Sequence, residues 1–297
     1  CGGGGGGDGA GEGAVATATT VVNSLEDTAT PPVGTVTLRS ALASAANGQT
    51  VTFDPSLDGG TITLTLVGSE HSILKGEVFN PDQSYAGYQE RDYGRSALYA
   101  RKNVVIDASS LPGGITISWG GGDSNRARVL AVYGNLTLRN ITITNGYSSA
   151  VAIEGGTQPY TLARGGAVAV WGTATLERCT LGGNRVSGDL NGSRDRGAFG
   201  GGIYGDRLLL SDCVVSGNTA EGYGAAGGGV YSVGGNEAAG ASSLTRCSVS
   251  GNRVTAQHAY GGGVFTEGGG RGGSKMIALA NCTISRNLVE DHPGLDQ

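Results

Sequence analysis

The chain has 297 residues with a net charge of −5, and 57 of them are glycine, about 19 % against a globular average near 7 %. Only 15 % are charged and 6 % aromatic, too few helix formers for a bundle, and no apolar run approaches the length of a membrane-spanning helix. The glycines do not recur at every third position, which excludes collagen, and an acidic balance with 17 Arg and 3 Lys argues against a nucleic-acid partner.

Two architectures remain: a disordered glycine-rich chain, or a repeat fold in which glycine has fixed positions. Residues 1–13 read as the first kind. Cys1 is followed by six glycines and then by Asp8, Gly9, Gly11, Glu12 and Gly13, a flexible tether. A cysteine at a mature N-terminus before such a tether resembles a bacterial lipoprotein after signal-peptide removal. The resemblance implies lipid on Cys1, with more than one acyl chain for stable anchoring, and a location at the bacterial outer membrane or cell surface.

Residues 14–66 are expected to form an N-terminal strand, a capping helix and a first coil. Ala14 to Val22 is a β-rich run that pairs either with its own first coil or with a neighbour's last coil. Leu38, Ala41, Leu42 and Ala45 have the spacing of one apolar helix face, with Gly48 as a stop. Such a helix would close the open end of a solenoid. Residues 67–134 hold early coils interrupted by Phe79 to Tyr99, which carries Tyr85, Tyr88, Tyr93, Arg91 and Arg95. Tyr and Arg anchor interfaces and stack on sugar rings, so this insertion is a candidate binding loop. The alternative is a loop whose tyrosines pack against the coil.

Residues 135–297 are a regular repeat. Cys179, Cys213, Cys247 and Cys282 recur at intervals of 34, 34 and 35 residues, and Asn184, Asn218, Asn252 and Asn287 keep the same intervals. Leu176, Leu210, Leu244 and Leu279 lie three residues before each cysteine; Leu181, Val215, Val249 and Ile284 lie two after it. Ile141 holds the cysteine position in a weaker earlier copy. Glycine clusters at Gly165, Gly200, Gly227 and Gly261 precede each copy. Short β-rich runs at this period bury their apolar faces only by stacking, which makes Leu, Cys and Val internal ladders and puts asparagine at a corner. The fold expected is an all-β, single-stranded right-handed parallel β-helix of roughly eight coils.

The Gly-Gly-Gly-Val/Ile and Cys-x-Val-Ser-x-Asn repeats resemble those of bacterial polymorphic outer-membrane proteins and related surface β-helix proteins. The Thr37-Leu-Arg-Ser-Ala-Leu and Phe53-Asp-Pro-Ser-Leu blocks are similar to the heads of the same proteins. The resemblance spans roughly residues 15 to 290. It implies a right-handed parallel β-helix and a role among adhesins and structural surface proteins.

The cysteines in a row suit a buried hydrophobe better than tetrahedral zinc or a disulfide, and neither a metal nor a cofactor is expected. If the chain is an enzyme, polysaccharide cleavage by a lyase or hydrolase is the class that fits, and it needs two carboxylates or a carboxylate with arginines. The loop with Asp189, Arg194, Asp195 and Arg196 offers them, although such charges in a Gly-rich loop also pair with one another. The leading expectation is a lipid-anchored surface module that binds or builds, with polysaccharide as an alternative ligand. Leu288 to Gln297 is short and polar for a plug, so the last coil is expected to continue in further chain or to meet a protein partner or another copy.

Overall fold

In a computed structural model, the protein is described over residues 19–68, 73–79, 85–92, 94–149, 162–188, 197–234, 240–267 and 276–291, with backbone alone for 73–79 and 85–92. It is an all-β parallel solenoid of about 6 turns with one α-helix. The strands form a 12-stranded sheet and two 7-stranded sheets. The turns are fewer than the eight expected, and two strands of the early region add none. Strands Ile73–Phe79 and Tyr85–Asp92 pair only with each other, as an antiparallel hairpin. At ~4.8 Å per rung, six turns make a body about 29 Å long.

Each repeat position stacks on its counterpart one turn away. In the large sheet Leu138, Leu176, Leu210, Leu244 and Leu279 are successive partners. In the second sheet the row runs Ile62, Ile117, Ile143, Leu181, Val215, Val249 and Ile284. Apart from Leu279 and Ile284 of the last described turn, these two rows and the cysteines face one another in a single core. A β-branched or leucine side chain in every rung fills that space, and burial of each contributes about 1.5–3 kcal/mol.

The corners explain the rest of the motif. The residue before each ladder position, Asn140, Arg178, Asp212, Arg246 or Asn281, has φ between 51° and 55°, which turns the chain from the large sheet into the second. Such a conformation costs about 1 kcal/mol outside glycine, and Asn and Asp are the residues that tolerate it best. Asparagine then closes the next corner and the chain enters the third sheet. Strands there, such as Thr219–Ala226 and Arg253–Tyr260, leave the main core and return to it, enclosing a smaller core of Ala163, Val186, Ala198, Ala220, Ala225 and Val254.

The neck of this arm is where glycine is required. Gly200 has φ +72°, and a Cβ on Gly201 would overlap the carbonyl oxygen of Gly228 on the next turn. It would also stand 2.6 Å from the Thr219 oxygen, because the arm's outgoing and returning backbones touch at this point.

The first turn is closed. Helix Leu38–Ser44 starts from a Thr37 capping box with Ser40 and buries Leu38, Ala41 and Leu42 in the main core. Strand Thr19–Val22 pairs with the chain's own Thr50–Phe53. Asp27 and Arg39 hold the cap to the coil. Asp27 accepts from Arg39 Nε at 2.7 Å, from Arg39 Nη2 at 3.0 Å, and from the Thr65 and Leu66 amides at 2.8 and 3.0 Å. Among the described residues no helix is long and apolar enough to cross a membrane.

Candidate functional site

The asparagine ladder is a continuous polar spine. Asn184 donates from its backbone N–H and from Nδ2 to the Oδ1 of Asn218, at 3.0 and 2.9 Å. Asn218 repeats this with Asn252, and Asn252 with Asn287. The second Nδ2 proton goes back one turn, to the carbonyls of Ile143, Leu181, Val215 and Val249. Asn184, Asn218 and Asn252 are buried, and all their amide atoms have partners, as burial demands.

The four repeat cysteines are free thiols, three of them fully buried. Each also donates from Sγ to the carbonyl of the stacked leucine row, Leu138, Leu176, Leu210 and Leu244, at 3.3–3.5 Å. The hydrogen bond to Cys179 and burial push the Cys213 thiol up to about 12, and the bond to Cys213 and burial raise Cys247 further. The hydrogen bond with Cys213 lowers the Cys179 thiol, but Cys179, Cys213 and Cys247 are all buried, so the ladder packs and satisfies backbone and does not present a nucleophile. Among the described residues no three His, Cys, Asp or Glu side chains are grouped to hold a metal ion.

The expected binding residues are placed as follows. Cys1, Tyr93, Asp189, Arg194, Asp195 and Arg196 lie outside the described residues. Tyr85, Tyr88 and Arg91 are on the second strand of the hairpin. Arg95 lies at its root, half-buried, reaching Asn125 Oδ1 at 3.4 Å. The carboxylates of Asp107, Glu177, Asp212, Glu221 and Glu290 are each held by an arginine of a neighbouring turn: Arg139 for the first two, then Arg246, Arg185 and Arg253.

Two features escaped the sequence. Tyr204, Tyr231 and Phe265 stack on the outer side of the large sheet, with ring centroids 5.3 and 5.2 Å apart, and Phe199 of the arm closes on Tyr231 at 4.9 Å. Tyr204 and Tyr231 are buried, so this row fastens the arm to the coil. Arg128 is fully buried and donates to Ser148 Oγ at 2.9 Å and Ser96 Oγ at 3.2 Å. Nothing in the local pattern separates it from a surface arginine.

The last described turn differs from all others. Leu244, Val249 and Val254 are 0 % exposed, yet their stacked counterparts Leu279, Ile284 and Val289 are 48, 45 and 47 % exposed. Leu288 is similarly open, and Met276 more so. Strands Ile277–Ala280, Thr283–Ser285 and Leu288–Glu290 are the edges of the three sheets at this end. Apolar ladder ends and edge strands thus coincide on one surface, the combination that promotes pairing with another β-structure. No protein-family model, curated protein or solved structure matches the chain.

Proposed function

We propose that the chain is a structural and binding module of a bacterial surface, tethered by lipid on Cys1 and acting through its open last turn. The observation that carries this reading is the exposure of Leu279, Ile284, Leu288 and Val289 at one end, against a first turn closed by helix Leu38–Ser44. The resemblance of the repeats to surface β-helix proteins, and of residues 1–13 to a lipoprotein leash, supports the location. A second copy is the occupant we favour. A head-to-tail stack would set the outer face of the capping helix against apolar residues, whereas two last turns facing each other match apolar with apolar. Such an isologous contact closes as a dimer.

Sedimentation of the full chain over a dilution series tests the contact. A dimer that dissociates on dilution, and that Ile284→Asp with Val289→Asp converts to a folded monomer, is the expected result. A monomer at all concentrations would refute self-association. Membrane release of a Cys1→Ser variant in the producing cell tests the anchor; unchanged membrane retention would refute it. Polysaccharide cleavage gains no support from Asp107, Glu177, Asp212, Glu221 and Glu290, which are committed to arginines.

A further inference from the structure

The cysteine ladder ends on a pair unlike the others. The residue pairs Thr245–Ala280 and Ser248–Thr283 stack in register on either side of it, so Cys247 and Cys282 stand one rung, ~4.8 Å, apart. Both are free thiols; Cys247 is 3 % exposed, whereas Cys282 is half-buried in the last described turn. The Cys247 backbone N–H donates to Cys282 Sγ at 3.4 Å, a contact that favours a negatively charged sulfur. Deeper in the ladder neighbouring thiols hydrogen-bond to one another, Cys179 with Cys213 and Cys213 with Cys247, so successive rungs place their sulfurs in one row.

A row of sulfurs selects among metals by geometry. Zinc takes four ligands at tetrahedral corners, which sulfurs in a straight row do not supply. A closed-shell monovalent ion such as Cu(I) or Ag(I) is satisfied by two ligands in line, and soft thiolate is the ligand it prefers. At ~2.3 Å per metal–sulfur bond, an ion midway between sulfurs one rung apart nearly bridges them with little movement of the backbone. A disulfide would need the Cβ atoms drawn in to ~3.8 Å.

We propose that Cys247 and Cys282 form a two-coordinate site for a soft monovalent cation of the Cu(I) and Ag(I) class. Binding replaces two S–H bonds with two sulfur–metal bonds, releases two protons to solvent and leaves the oxidation state of the ion unchanged. The bridged pair carries one net negative charge. Cys179, Cys213 and Cys247 are buried, so a bridge between two of these would hold that charge away from water, whereas Cys282 brings it to the surface. Cys282 is therefore both the entry point and the residue that decides which pair is used. Both sulfurs belong to one chain, so the site needs no second copy.

Cu(I) supplied without oxygen to the full chain carrying Cys1→Ser, in competition with the Cu(I) chelator bicinchoninate, tests this; the substitution removes the tether thiol. One retained ion per chain is expected, with an X-ray absorption spectrum of two sulfur neighbours. Adding Cys282→Ser, at a half-buried position, should lower the affinity at least about a hundredfold and leave the thermal midpoint of the metal-free protein unchanged. Cys179→Ser, two turns from the pair, should leave the affinity as it was. Zn(II) in about tenfold excess should not displace the ion. Failure to retain Cu(I) against the chelator, undiminished affinity in Cys282→Ser, or a spectrum dominated by nitrogen or oxygen neighbours would each overturn the proposal.

Discussion

Asn218 and Asn252, 34 residues apart in sequence, meet through two hydrogen bonds to one atom: the Asn218 backbone N–H and Nδ2 both donate to Asn252 Oδ1, at 3.0 and 2.9 Å. Because Nδ2 of Asn218 also donates to the Leu181 carbonyl, one side chain ties three turns together. Asn218→Ala strips the acceptor from Asn184 and the donor from Leu181, all buried. The expected cost is about 3 kcal/mol or more, read as a lowered denaturation midpoint. Asn287→Ala, at the open end, should cost clearly less.

Glycine is required at the neck for a different reason than at a corner. Gly201 has no room for a Cβ against Gly228, whereas Gly217 has φ +63° but open space around it. Gly201→Ala should therefore cost more than about 3 kcal/mol by forcing adjacent turns apart. Gly217→Ala pays only conformational strain of about 1–2 kcal/mol. Equal effects in chemical denaturation would contradict the neck geometry.

The cysteines should behave as packing residues. Peptide-resolved alkylation near pH 8 is expected to leave Cys179, Cys213 and Cys247 unmodified in the native protein and to modify all of them after unfolding. Cys282, half-buried in the last turn, should react at an intermediate rate. Rapid native modification of Cys213 would mean the ladder is open.

The Asp27–Arg39 pair links the cap to acid stability. Burial pushes the Asp27 carboxyl up, but Arg39 and the Thr65 and Leu66 amides outweigh it and hold the group below its ordinary value. A depressed folded pKa stabilises at and above the unfolded value near 3.9, and the contribution is lost as pH falls through the folded value. Asp27→Ala should cost about 3 kcal/mol at pH 7 and much less near pH 2, seen in thermal midpoints across that range.

The repeat was legible because stacking imposes one-to-one correspondence: the intervals of Leu176, Cys179, Leu181 and Asn184 state the rung directly. The helix Leu38–Ser44 was legible for the same reason, a periodic apolar face before a glycine stop. Long-range pairs carry no such signal. Asp27 and Arg39 meet only because a coil brings them together, and the arm is hidden because its Ala-rich strands look like any loop segment. The number of turns was overestimated since a hairpin and a coil strand share the same β-rich composition. Candidate binding residues were the least legible, because Tyr and Arg serve packing and recognition alike: Tyr204 and Tyr231 fasten the arm.

The central claim is a solenoid whose ladders are sealed at the first turn and which, as we propose, meets a second copy at the last described one. Asn287 is the last described member of the asparagine series, and by the pattern of the others its N–H would donate to a further oxygen. Residue-resolved amide hydrogen exchange, run at low and high protein concentration, tests this most directly. The account predicts slow exchange at Asn184, Asn218 and Asn252 throughout, and fast exchange at Asn287 that slows as concentration rises. Fast exchange at Asn218, or exchange at Asn287 that does not change with concentration, would contradict it.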